Sequence, residues 1–364
     1  MFKPEFVANA LKVPPPKEES KRVWTDSRSV EPGDLFAAVG GEKFDGHNYV
    51  AEAARKGAIG ALVTRKDFPG VDQLPPNFSL IQIENTTEAL RTLAKAHRER
   101  LKTKIFAVAG SNGKTTTKEW IAYLLSDLLG KDNVFKTLKS NNSILGIALS
   151  LLQIRNQASA VIEIGIDEPG WMTQHLEVVQ PNAGLLTMIG EEHLNRLKNI
   201  ETVAEEELKL LEYLKSKNRP FAANIDSPFI PAVDLPTGSL TYSLEKTANI
   251  EGRYLAPNTL KAFGLSWTNP LPGRHNGQNL LAALAALKIM VPELSISQLR
   301  GLAVASATFR GEAHRGLWLT YEKGLRVFDD TYNANPESME RALETFLELS
   351  SGCEQTLILG DMLD

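Results

Sequence analysis

The sequence predicts an α/β chain of three domains built around a doubly wound parallel sheet, and three observations carry that prediction. At 364 residues the chain exceeds one ordinary core, since domains run ~100 to 200 residues. From Lys104 onward, short apolar runs alternate with helical patterns, as buried parallel strands and their crossover helices do. Between the first of those runs and its helix stands a glycine-bearing turn that closes on Lys114 and Thr115.

The elements follow in chain order. Residues 1–102 read as a small α/β domain, with strands expected at 34–39, 58–64 and 80–84 and helices at 49–56 and 87–100; Pro75 and Pro76 break the pattern between them. Residues 103–312 read as the central domain. Its strands are IFAVAG, AVIEIG (160–165), AGLLTMIG (183–190) and PFAANID (220–226), and a helix over 279–290 closes it. A polar stretch near 305–315 marks the next boundary. Residues 313–364 supply a strand (325–330), a helix (336–349) and a strand (356–360), one βαβ unit where a doubly wound sheet needs about five or six strands. The expectation is a third domain present only in part.

Composition narrows the function classes. A hydrophobic share of 43% and a charged share of 23% sit near the globular average and exclude disordered, collagen-like and coiled-coil chains. With 40 basic against 44 acidic residues the net charge is -4, which argues against a nucleic-acid partner held by a basic surface. The single cysteine, Cys353, forms no internal disulfide and no thiolate zinc site, as expected of a reducing, cytoplasmic setting. The start, MFKPEFVANALKVPPP, lacks the apolar run of a signal peptide, and the stretch 280–291 falls far short of the ~20 residues of a membrane span. No membrane partner is expected, and the chain is expected to be a monomer.

The turn itself reads GSNGKTTTKEW, from Gly110 to Trp120. In a strand–turn–helix of this kind, Gly110, Ser111, Asn112, Gly113, Thr115 and Thr116 present backbone N–H groups to phosphate, Lys114 neutralises the β and γ oxygens, and the Thr115 hydroxyl ligates Mg²⁺. The common P-loop spacing puts a further glycine at 108, where this chain has Val108. A plain turn rich in small residues stays open on the loop alone.

The shorter GxxGKT form, with the segments around it, resembles the Mur ligase family. TDSRSVEPGDLFAAVGGEKFDGHNYVAEAARKGA (25–58), KSNNSILGIALSLL (139–152), VIEIG, TMIGEEHL, GRHNGQNLLAALAA, FDDTYNANPESM and LILGDMLD stand in family order, from about Thr25 to the end of the chain. The resemblance implies a small N-terminal domain for a uridine nucleotide sugar, a central P-loop ATPase domain and a Rossmann-like C-terminal domain. It implies ATP and Mg²⁺ as cofactors. DDTYNANP is most similar to the member that joins D-alanyl-D-alanine to UDP-N-acetylmuramoyl-tripeptide, so those two molecules are the implied partners.

Roles follow by resemblance. Lys114, Glu163, His193 and Arg310 are the implied catalytic residues; Glu163 and His193, at the carboxyl ends of parallel strands, join Thr115 as implied metal ligands, and Arg310 is implied to reach the ATP phosphates. Asn279 and Asp330 are the implied adenine and ribose contacts. Asp26, Ser27, Arg28, Asn141, Asn142, Tyr332, Asn333 and Asn335 are the implied substrate contacts. Simpler readings stand beside these: a packed histidine, a surface arginine, an Asn pair serving a turn.

The chain departs from the family in places. Ala148 replaces a common proline, and Ile166, Asp167 and Glu168 replace an Asn/His-containing stretch. At 207 the resemblance implies a lysine carboxylated on its amine, and this chain has Glu207. At roughly 100° per residue Glu207 falls within about 20° of the centre of the apolar stripe of the expected 200–215 helix, with Glu205, Glu206 and Lys209 pointing elsewhere. It is therefore expected to act as a built-in carboxylate at the metal site; the alternative is a helix end tilted into solvent. The implied activity is ATP-dependent amide ligation through an acyl phosphate. A folylpolyglutamate synthetase-like ligase and a nucleotide-binding homologue without ligase activity are the alternatives, and the third residue of the accepted peptide, lysine or diaminopimelate, is left open.

Overall fold

The computed structural model describes residues 1–41, 44–230 and 234–362, so the last two residues of LILGDMLD lie outside the described residues. The chain divides into two compact units, the first formed by Met1–Lys102 with Ser143–Arg155 and Glu177–Val179, the second by the rest.

The first unit carries a four-stranded parallel sheet in the order Val23–Trp24, Leu35–Ala37, Gly60–Val63, Ser79–Gln82. Its central strands are buried throughout, which is why they read as continuous apolar runs. The Thr86–Arg100 helix starts where the Asn85 side chain accepts from the Glu88 N–H, and the Ile144–Gln153 helix packs on it although 40 residues of the other unit intervene in sequence.

The second unit holds a seven-stranded parallel sheet in the order Ile250–Glu251, Leu240–Ser243, Phe221–Asn224, Ala183–Leu186, Lys104–Ala109, Ser159–Glu163, Val134–Lys136. The chain leaves the Lys104–Ala109 strand, builds two strands on one side, then returns to build four on the other. That reversal places a crevice at the carboxyl ends of Lys104–Ala109, Ser159–Glu163 and Ala183–Leu186, the position at which doubly wound sheets bind ligands. The Lys114–Leu129 and Arg274–Met290 helices pack against each other over this sheet, and Leu280 through Leu287 are all buried, as an apolar-all-round helix must be. Trp120 stacks on Phe309 with ring centroids 3.6 Å apart. The helix expected over 279–290 begins earlier, at Arg274, because its polar first turns face the crevice rather than solvent.

A three-stranded antiparallel sheet (Arg253–Leu255, Thr259–Ala262, Leu265–Thr268) packs against the Arg274–Met290 helix. Beyond it, Leu317–Thr320 and Arg326–Asp329 form an antiparallel hairpin, and Pro336–Leu349 is a helix opened by a reciprocal cap between Asn335 and Ser338. The strand expected over 356–360 is not formed. A strand exists only by pairing, and among the described residues none lies beside this segment, so Leu357, Ile358 and Leu359 are exposed. The expected βαβ unit is therefore a hairpin and a helix.

Candidate active site

The phosphate-loop residues sit where the Lys104–Ala109 strand meets the crevice. Gly110 and Gly113 have φ of +112° and +83°, and a Cβ at either would lie 2.5 Å from Thr187 Oγ1 or 2.3 Å from Asn279 Oδ1, so both positions require glycine. Ser111 N–H donates to the Met188 carbonyl (2.7 Å), and Ser111 Oγ both donates to the Gly190 carbonyl (2.9 Å) and accepts from the Gly190 N–H (3.0 Å). The loop is thus tied to the segment that follows the Ala183–Leu186 strand. Val108, which breaks the longer motif, is still strand, buried and paired in register with Leu185 and Glu163. The turn needs no glycine there because it has not yet begun.

Lys114 Nζ donates to the Ser111 carbonyl (2.9 Å) and to Glu192 Oε2 (3.1 Å). Burial by itself would lower its pKa, but the carboxylates of Glu192, Glu207 and Glu163 outweigh it and hold the ammonium above its ordinary value. Thr115 Oγ1 donates to Glu163 Oε1 (3.1 Å) and lies 3.1 Å from Ser140 Oγ, and Asn142 Nδ2 donates to the same Glu163 oxygen (2.9 Å). His193, with left-handed backbone at φ 49°, places Nε2 3.5 Å from Asp167 Oδ1.

A cavity of about 780 Å³ gathers these groups. Of the sequence-predicted residues, Ser111, Asn112, Gly113, Lys114, Thr115, Thr116, Asn142, Glu163, His193, Asn279, Asp330, Tyr332, Asn333 and Asn335 line it. Asn335 Nδ2 donates to Asn112 Oδ1 (2.9 Å), and Asn112 Nδ2 donates to Glu337 Oε2 (3.0 Å), so the first turn of the last helix is clasped to the phosphate loop.

Other predicted residues stand elsewhere. Gly110 lies beneath the cavity rather than on its wall, and Asn141 is exposed. Arg310 is exposed and does not line the cavity; Arg315, five residues on, does, with its Nη2 donating to Ser140 Oγ (3.0 Å) and its guanidinium 3.8 Å from the centre of the Tyr332 ring. Asp26, Ser27 and Arg28 belong to the first unit, where Asp26 accepts from the Arg28 backbone and guanidinium and Ser27 Oγ donates to Glu52 (3.3 Å).

Glu207 is fully buried on the Ile200–Ser216 helix, so the solvent-facing alternative is excluded. Its Oε2 accepts from the Gly110 N–H (2.9 Å), which puts the carboxyl directly under the phosphate loop and off the cavity wall, so the structure does not place the expected built-in carboxylate beside Thr115 and Glu163 as a metal ligand. Burial, reinforced by the charge of Glu192, pushes its pKa up to about 8 against the pull of Lys114 and the Gly110 N–H. Glu206 corrects the helical-wheel reading: it too is buried, accepting from the Met172 N–H (2.8 Å), because the Trp171–Val179 helix covers that flank.

The residues present fit a magnesium ion. Among the described residues no three His, Cys, Asp or Glu side chains converge as a ready-made ligand set. Mg²⁺ does not need one, since it uses one or two carboxylates with waters and substrate phosphates, and here the Thr115 hydroxyl stands beside the Glu163 carboxylate at the mouth of the loop.

Sequence reasoning missed Glu192, Arg315, Gln278 and Glu337, all on the cavity wall. Glu192 had a signal, lying beside His193 in TMIGEEHL; a charged side chain on a polar stretch, such as Arg315, has none.

Comparison with known proteins gives the family. The Mur ligase family, catalytic domain, matches residues 20–98, and the Mur ligase middle domain matches residues 108–287. The UDP-N-acetylmuramoyl-tripeptide–D-alanyl-D-alanine ligase of Bacillus subtilis is 31% identical over 352 residues, 94% of this chain and 73% of that protein. The chain belongs to the Mur ligase family. Among solved structures of the family, MurF from Acinetobacter baumannii superposes with a TM-score of 0.80 at 26% identity, covering 95% of this chain and 76% of that one. MurF from Thermotoga maritima in complex with ADP gives 0.72 at 25%, covering 90% and 75%.

Proposed function

We propose that this Mur ligase joins D-alanyl-D-alanine to UDP-N-acetylmuramoyl-tripeptide with consumption of ATP, in the synthesis of peptidoglycan precursor in the cytoplasm. The observation that carries the reading is one cavity holding a phosphate loop, a buried carboxylate beside the loop threonine, and residues of the DDTYNANP segment from Asp330 to Asn335. The names of the relatives support the substrates. No helix among the described residues is long and apolar enough to cross a membrane, and a monomer with no nucleic-acid partner fits the reading.

A carboxylate is a poor acyl donor at neutral pH. Its oxygen attacks the γ-phosphorus of ATP to give an acyl phosphate and ADP; the amine of D-alanyl-D-alanine then attacks the acyl carbon, and inorganic phosphate leaves. The protein's part is position and charge. The Gly110 and Ser111 N–H groups, expected to face phosphate, are taken by Glu207 and the Met188 carbonyl, so the rest of the loop and the start of the Lys114–Leu129 helix hold the phosphates, and Lys114 exchanges Glu192 for phosphate oxygens. Asn279 stands ready for the base, and Asn142 for the peptide. Thr115, Glu163 and His193 would hold Mg²⁺, which when bound neutralises the phosphate charge.

The test is phosphate release by the protein with each substrate omitted in turn. Release should require both the UDP-sugar tripeptide and D-alanyl-D-alanine. Equal release with L-glutamate as the amine would refute the substrate assignment.

A further inference from the structure

Lys118 stands one turn beyond Lys114 on the same helix and is wholly buried, at 0% exposure. An ammonium taken out of water is costly unless its charge and its three donors are met. Here Nζ lies 3.3 Å from Glu163 Oε2 and 3.3 Å from Glu119 Oε1, and it donates to the Lys139 carbonyl. The second oxygen of Glu119 is held by Lys136. Neither 3.3 Å contact is an aligned hydrogen bond, so Lys118 acts on both carboxylates chiefly through charge.

The consequence is directional. Glu163 has one oxygen drawn inward to Lys118 and the other, Oε1, held between Thr115 Oγ1 and Asn142 Nδ2. The same ammonium draws in the Lys139 carbonyl at a residue with left-handed backbone, φ 51°, and two of the three residues that follow, Ser140 and Asn142, face the cavity. We propose that Lys118 is a positioning residue of the ligase: it fixes the Glu163 carboxylate with Oε1 beside Thr115 and anchors the turn that carries Ser140 and Asn142, without touching substrate itself. A neutral side chain of similar length would fill the space but leave Glu163 free to rotate toward the loop lysine and the turn free to leave.

The inference rests on reading the cavity as a site for a metal-bound nucleotide, and the experiment separates the two. ADP binding is measured by calorimetry with and without Mg²⁺ on the parent, on Lys118→Met, and on Lys118→Met/Glu119→Gln, which removes the charge of one of the two carboxylates that lose the Lys118 ammonium, should the single variant not fold. The parent should bind ADP more tightly with Mg²⁺; no such difference would refute the cavity reading itself. In the Lys118 variants the Mg²⁺-dependent gain should fall roughly 10- to 100-fold, the usual effect of removing a group that orients a ligand, while metal-free ADP binding stays within about threefold of the parent. A folded variant with the full Mg²⁺-dependent gain, or one in which both forms weaken equally, would overturn the assignment.

Discussion

Glu207→Gln tests the most unusual charge in the molecule through stability rather than activity. The carboxyl is fully buried beneath Gly110, and its pKa is raised from 4.5 to about 8 by burial first and by Glu192 second. A raised carboxyl pKa is a cost, not a gain, above the unfolded value. Below pH 4.5 both states carry the proton and the group is neutral to stability. Between there and about pH 8 the unfolded chain ionises while the folded one does not, and stability falls by up to ~1.4 kcal/mol per pH unit, at most about 5 kcal/mol over the window. Glutamine removes the titration and keeps an oxygen for the Gly110 N–H, at a cost of ~1–3 kcal/mol for amide hydrogens placed where Glu207 Oε1 has no hydrogen-bond partner. The variant should therefore be less stable than the parent near pH 5 and draw level with or pass it by pH 8. Melting temperatures of the ligand-free proteins at half-unit steps from pH 5 to 9 would trace the difference. Parallel curves across the window would refute the argument, and would mean that Glu207 is ionised in the fold with Lys114 as its full partner.

Lys114→Ala should abolish ligation while circular dichroism is unchanged, because charges placed on a transferring phosphoryl group are worth roughly 10³ to 10⁵ in rate; comparable turnover in a folded variant would make the loop a structural turn. Gly113→Ala meets a φ of +83° and a contact of 2.3 Å with Asn279 Oδ1, so ADP affinity should drop at least roughly tenfold by calorimetry, and unchanged affinity would show that the loop relaxes freely. Phe309→Ala removes the ring stacked on Trp120 at 3.6 Å and should lower stability by about 3–5 kcal/mol in urea denaturation; a loss under about 1 kcal/mol would show that the pocket collapses.

The long buried strands were legible and the short ones were not, for a physical reason. Lys104–Ala109, Ser159–Glu163, Ala183–Leu186 and Phe221–Asn224 lie inside the sheet, covered on both faces, and so appear as unbroken apolar runs. Val134–Lys136 is an edge strand of three half-buried residues, and Ile250–Glu251 at the other edge has two; neither is long enough to show a period. The segment 356–360 is the opposite case. Its composition suits a strand, but strand formation depends on a neighbour that composition cannot supply.

At the site, legibility depended on whether a residue's role came from its own backbone or from what packs on it. The loop glycines, Thr115 and Glu163 are fixed by strand–turn–helix geometry, and the sequence carries that geometry. The burial of Glu207 also followed from helical period alone, since a carboxylate near the centre of an apolar stripe has nowhere else to go. Glu206 and Lys118 did not follow, because each is buried by a partner from a distant segment: the Trp171–Val179 helix in one case, Glu163 and the turn at Lys139 in the other. A helical wheel sees one neighbour direction, and these helices have two. The same reasoning explains the two arginines. Arg310 stands in a segment that resembles a phosphate-binding one yet remains in solvent, whereas Arg315 reaches the cavity because the hairpin beginning at Leu317 brings Tyr332 beneath its guanidinium and Ser140 within hydrogen-bonding distance. Charged residues whose burial is imposed from across the fold are thus where this site holds more than its motifs declare.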